Sequence, residues 1–260
     1  MKTLIFSLFL TFLFVSGTLS QNNSVNSLIY EGKLAIEHGN NQFDKQQLLK
    51  AHGIFERIYS AQPHNLLALY YLTYSEYRLL MYGLHKPEKP VYDNFIDKAI
   101  ENAKKLIENK DYKSEGSVLL AAIYMMKISN STIEAPILSP RFHGLLDDAQ
   151  EIDSSNPRSF LIRGIMKYNT PAFFGGSKED AIKNCQHAIS LFKKNKNTDS
   201  LNIDWGFAES YTWMGIALQE TGQIAKAKEA YLKALEIAPD YGWVKYSLLP
   251  GLEKTQASTK

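Results

Sequence analysis

Past Ser24 the apolar residues recur at intervals of three and four, and runs that alternate apolar with polar are scarce. The spacing predicts helices over 26–38, 44–60, 65–82, 90–108, 113–127, 138–153, 157–168, 178–194, 206–220, 224–237 and 241–248. Gly, Pro, Asn and Asp fill the gaps between them. The fold class that follows is all-α. Ser177-Lys178-Glu179-Asp180 reads as a capping box, in which Ser177 accepts from the third helical N–H and Asp180 reaches back to the Ser177 N–H.

The helices pair into a repeat. Tyr211, Met214, Gly215 and Leu218 are followed by Gly222, Ala227, Tyr231, Ala234 and Pro239. Gly215 and Ala227 are small, so two helices can approach closely, and Pro239 ends the second of them. This segment resembles the tetratricopeptide repeat (TPR), a helix–turn–helix unit of about 34 residues. Weaker copies are marked by Phe160, Gly164, Ala181 and Ala188, by Ser117, Leu120, Ala121 and Tyr124 with Leu145, Ala149 and Ile152, and by Leu69 and Leu72 with Ala99, Ala103 and Leu106. Ala51, Phe55, Ile58 and Pro63 close a first unit. Pro63, Pro157 and Pro239 leave room for two units in each interval, each longer than the ordinary repeat. The resemblance implies a right-handed α-solenoid of about five degenerate helix hairpins with a C-terminal capping helix.

The two ends read differently from the middle. Lys2 precedes an uncharged run from Leu4 to Val15, and small residues lead to Gln21, which is the pattern of a signal peptide over 1–20. The alternative is an uncleaved anchor. A single domain is expected over 21–251 and a loose tail over 252–260. Export to the periplasm is the expectation, with secretion as the alternative. Asn156-Pro157-Arg158, the run from Asn169 to Glu179 and the ending Trp243-Val244-Lys245-Tyr246 resemble small exported bacterial TPR proteins of unassigned role. The Phe-Gly-Gly segment is also similar to the periplasmic repeat component of some transporters.

Composition narrows the chemistry. Twenty-nine basic and 27 acidic residues give a net charge of +2, with no concentrated basic patch for nucleic acid. One cysteine excludes an intrachain disulfide. Cys185 falls where a helix hairpin wants a small apolar residue, which favours packing over a redox role. The six histidines are scattered without an i, i+4 pair and read as surface or turn residues, so no metal site is expected. No nucleophile elbow, P-loop, dinucleotide-binding or zinc-protease motif occurs, and neither catalytic nor cofactor-binding residues are expected.

The expectation is therefore a non-enzymatic scaffold that binds a protein segment or an apolar ligand. The alternatives are an accessory periplasmic subunit of a transporter or envelope complex, and an enzyme with a loop-built site. The TPR resemblance implies that first helices line a concave groove through one i, i+4, i+7 stripe each. That stripe reads Tyr70, Tyr74 and Tyr77; Val118, Ala122 and Met125; Leu161, Ile165 and Tyr168; and Thr212, Ile216 and Gln219. Glu115, Arg158 and Glu209 lie nearest its edge. Phe173 and Phe174 either plug the next unit or border a ligand pocket. An apolar groove of this size is costly in water, so a ligand, a partner or the chain's own segments should cover it. The N-terminal helix and the Phe173 loop are the expected internal candidates.

Overall fold

The computed structural model describes residues 24–85, 89–195 and 199–258. The expected signal peptide at 1–20 lies outside them. Eleven α-helices and no strand occur among the described residues. They are α1 (24–42), α2 (Lys45–Ala61), α3 (Leu66–His85), α4 (Lys89–Glu108), α5 (Lys113–Asn130), α6 (Ala135–Ile152), α7 (Pro157–Asn169), α8 (Lys178–Lys194), α9 (Phe207–Glu220), α10 (Ile224–Ile237) and α11 (Leu249–Ser258).

Consecutive helices pack as antiparallel hairpins, and α3, α5, α7 and α9 also touch one another in an inner row. The arrangement is a TPR-like α-solenoid. The inner helices α3 and α5 are buried over most of their circumference, which explains why their sequences are apolar nearly all round. Outer helices such as α8 bury one stripe, Ala181, Ile182, Cys185, Ala188 and Ile189. Small residues set the spacing inside the hairpins. A Cβ on Gly215 would come within 2.5 Å of the Tyr231 ring, and one on Gly164 within 3.0 Å of Cys185 Sγ. Cys185 is packed in this contact, and burial pushes its thiol up to about 12.

Caps explain several boundaries. Asp44 accepts from the N–H groups of Gln46 and Gln47 to start α2, and Asn156 accepts from Arg158 N to start α7. Ser177 accepts from Asp180 N at 3.0 Å, but the reciprocal half of the expected box is not made: the Ser177 N–H donates to Lys167 O instead. α6 begins three residues earlier than predicted, because Pro136 sits in a first turn that needs no N–H.

The C-terminal end corrects the expected tail. The chain makes a π-helical turn over Val244–Leu248 and continues as α11 to Ser258, with Leu252 fully buried. The preceding wide turn bonds Leu249 N to Val244 O and relieves the clash that Pro250 would make in an ordinary α-helix. His52 is a second correction. It is buried on α2 between the Phe95 ring and the Glu76 carboxylate, 3.5 Å from Nε2, rather than lying at a surface or turn.

Candidate functional site

The concave face is filled by the chain itself. The segment 199–206, between α8 and α9, folds back across the inner row. Neither the N-terminal helix alone nor the Phe173 loop supplies the filling. Trp205 rests on Tyr74, and its indole N–H donates to the Tyr70 hydroxyl at 2.7 Å. The Tyr70 hydroxyl donates to Glu115 Oε2 at 3.1 Å, and Arg158 Nε donates to both Glu115 oxygens at 3.0 and 2.9 Å. Asn156 donates to the same carboxylate at 3.1 Å. This network ties α3, α5 and α7 to the returning segment. Arg158 is 8% exposed, and a buried ion pair of this kind persists only because its remaining donors and acceptors are satisfied.

α1 holds the segment from the other side. Lys33 Nζ donates to the carbonyls of Ser200 and Asn202 at 2.5 and 2.6 Å and pairs with Asp204 at 2.9 Å. The Tyr71 hydroxyl donates to Asn202 O at 2.7 Å. The end of α1 also meets the C-terminal region. Gln42 Nε2 donates to Asp240 O at 3.0 Å, and Gly242 lies so close to Asn41 O that a Cβ would stand 2.5 Å from it.

The expected stripe is thereby distributed. Tyr70, Tyr74, Tyr77, Val118, Ala122, Met125, Leu161, Ile165 and Thr212 are buried, while Tyr168, Ile216 and Gln219 are partly covered. Burial raises the pKa of Tyr70 and Tyr74 well above the ordinary tyrosine value and takes Tyr77 up to about 12. Gln219 accepts from the Tyr231 hydroxyl at 3.0 Å, inside its own hairpin. The ring of Tyr168 lies 3.5 Å from Lys178 Nζ. Phe173 and Phe174 are 92% and 74% exposed. They neither plug a neighbouring hairpin nor line the cavities beside the groove. A tight turn displays them, with Gly175 in the left-handed region and Lys167 Nζ on its carbonyl at 2.9 Å.

Two cavities remain beside the filled groove. One, about 400 Å³, lies between α1, the returning segment and the ends of α9 and α10, with Lys33, Tyr71 and Tyr74 in its wall. The other, about 410 Å³, brings together Tyr77, Leu161 and Ile165 of the expected stripe. To these it adds Trp205, Trp213 and Trp243, which are all three tryptophans of the chain. Phe43, at φ 55°, stands at this cavity with its ring 5.2 Å from that of Tyr82. A phenylalanine in the left-handed region is strained, and strain of this sort concentrates at ligand sites. Arg78 and Glu209 are the charged groups in its wall, with Nη1 and Oε1 3.6 Å apart.

Sequence reasoning missed Trp205, Trp213, Trp243, Phe43 and Arg78. The concentration of all tryptophans after residue 204 was the available signal.

The comparisons agree with this architecture. Residues 208–241, which hold α9 and α10, match the family model of the tetratricopeptide repeat. TTC0263, a thermophilic TPR protein of Thermus thermophilus, shares the fold at TM-score 0.56 and 20% identity, over 87% of this chain and 97% of that one. The HusA haemophore of Porphyromonas gingivalis superimposes at TM-score 0.57 and 17% identity, over 77% of this chain and 94% of that one. No sequence among curated proteins matches the chain. The C-terminal hairpin carries the repeat signature and the remaining hairpins share its geometry, so residues 208–241 are a tetratricopeptide repeat within a TPR-like fold.

Proposed function

We propose that the chain is an exported, non-enzymatic TPR protein that holds a compact apolar ligand in the tryptophan-lined cavity. The TPR fold itself is that of a protein-interaction scaffold. The observation that favours a small ligand is the fate of the groove. Segment 199–206 occupies the face where an extended peptide would lie, and of the two cavities left beside it, the one of about 410 Å³ is walled by every tryptophan in the sequence. Concave, largely apolar sites of about 300–1,000 Å³ with a few polar groups suit small molecules. The likeness to a haemophore supports the reading, because that protein's name assigns this fold to a small-molecule carrier. Export rests on the hydrophobic leader over 1–20.

The test is equilibrium binding of phenylnaphthylamine, an uncharged aromatic probe whose fluorescence rises on burial. The expected result is saturable binding that Met81→Trp, which fills the cavity, weakens by about tenfold with the helical signal intact. Absence of saturable binding, or indifference to Met81→Trp, would overturn the reading. Native mass spectrometry of the protein taken from its own cells would then identify the ligand.

A second reading has its own observation. The exposed pair Phe173–Phe174 offers a partner protein a small rigid apolar knob, as an accessory subunit of an envelope complex would need. Loss of a co-purifying partner on Phe173→Ser with Phe174→Ser would support it.

A further inference from the structure

The cavity wall is largely apolar, and Arg78 is the cation in it, with Glu209 beside it. Arg78 projects from α3 into its wall and is only 9% exposed. Its Nε donates to Asn40 Oδ1 at 2.5 Å. Its closest carboxylate oxygen, Glu209 Oε1, lies 3.6 Å from Nη1, too far for a hydrogen bond. The other oxygen of Glu209 already accepts from the Gly206 N–H at 3.1 Å, where it helps start α9. The Tyr74 ring lies under the guanidinium at 5.9 Å and contributes only its face. Among the described residues, neither terminal nitrogen of Arg78 donates a hydrogen bond.

That is an unusual state for a guanidinium. It carries five N–H donors in a planar fork, and those the protein leaves unfilled here remain open to a ligand. Two of the other polar groups on this wall are committed elsewhere. His85 Nδ1 is 2.9 Å from Met81 O, and Gln42 spends its amide on Asp240 O. The free edge of the fork therefore faces the cavity together with the aromatic walls.

We propose that the ligand of this cavity is an aromatic oxyanion, a flat apolar body bearing a carboxylate or sulfonate, and that Arg78 takes the anionic group on its two terminal nitrogens. Planar, bidentate recognition of such an anion is what the guanidinium geometry favours. Glu209 competes for the same fork when the cavity is empty and keeps the cation from being wholly uncompensated. This inference rests on the small-ligand reading above and adds the charge and the anchoring residue.

The experiment compares phenylnaphthylamine with anilinonaphthalene sulfonate, the same ring system carrying one anion. The sulfonate is expected to bind the wild-type protein about tenfold more tightly, the worth of one charge-assisted contact. Arg78→Gln is expected to erase that preference, weakening the sulfonate about tenfold and the uncharged parent far less. Glu209→Gln removes the competing carboxylate while its amide oxygen can still accept from Gly206, so it is expected to strengthen sulfonate binding severalfold. Should Arg78→Gln fail to fold, the Glu209→Gln result decides alone. Equal affinity for the two probes, or a Glu209→Gln protein that binds the sulfonate no better, overturns the inference while leaving the small-ligand reading standing. Binding of neither probe overturns both.

Discussion

Trp205 and Tyr74 lie face to face, their ring centroids 4.8 Å apart and their planes 18° from parallel. The contact joins the second hairpin to the entry of the fifth and marks where the groove is closed. Trp205→Ala removes the stack and the indole hydrogen bond to Tyr70 together. Because Trp205 is only partly buried, the expected loss is about 2–3 kcal/mol, below the range for a fully buried tryptophan. Chemical denaturation with the helical signal as readout checks it. Release of the segment should also add a second, larger site for phenylnaphthylamine.

Glu115→Gln is expected to be more damaging than its small chemical change suggests. It leaves Arg158 charged and buried and only one acceptor oxygen where there were two, so Asn156 and the Tyr70 hydroxyl can no longer each keep its own acceptor oxygen. Breaking one side of a buried pair costs about 3–5 kcal/mol. A Glu115→Gln protein with wild-type stability would show that the network contributes nothing.

Gly215→Ala should destabilise the last hairpin by about 1–3 kcal/mol, the cost of overpacking. The added methyl would meet the Tyr231 ring at 2.5 Å and the Ala227 carbonyl at 3.3 Å. Tyr231 is fully buried and cannot swing aside without opening a void. Pairing Gly215→Ala with Tyr231→Leu should recover part of the loss in the melting temperature.

Substituting both Phe173 and Phe174 by Ser should leave stability unchanged within about 0.5 kcal/mol, since they bury little against the protein. A large drop in melting temperature would mean that these rings pack on something.

Stability should fall on the alkaline side. Tyr77 and Cys185 both lose a proton to become anions, and burial raises both to about 12. The folded state therefore keeps its protons longer than the unfolded chain does. The contribution of each group is whole below its unfolded value, about 8.5 for the thiol and about 10 for the phenol, and is lost as pH rises towards about 12. Denaturant midpoints should stay level up to about pH 8.5 and then decline. The thiol should stay unreactive towards alkylating reagents until the protein unfolds.

The sequence shows the helices clearly and the site dimly, for physical reasons. Helix positions follow from side-chain spacing, and the close approach at Gly215 follows from residue size; both are local. The filling of the groove is not local. Lys33, Tyr71 and Arg158 seize the backbone carbonyls of Ser200, Asn202, Ile203 and Trp205. Every residue owns a carbonyl, so nothing in the composition of 199–206 announces its use. The stripe of tyrosines was legible as an inward face, but what covers it depends on a chain reversal between α8 and α9. The helix after Leu248 is also hidden, because the π-turn that accommodates Pro250 leaves no mark in the spacing.

The joining of Asn41 and Gln42 to Asp240 and Gly242 changes how such a stack can come apart. An open array of hairpins frays from its termini, each unit answering only to its neighbours. Here the first and last hairpins brace each other across the cavity, so neither is a free end. The arrangement is that of a buckled belt: one fastening, distant in sequence, joins both ends, and undoing it is expected to loosen the tryptophan-lined cavity before any helix is lost.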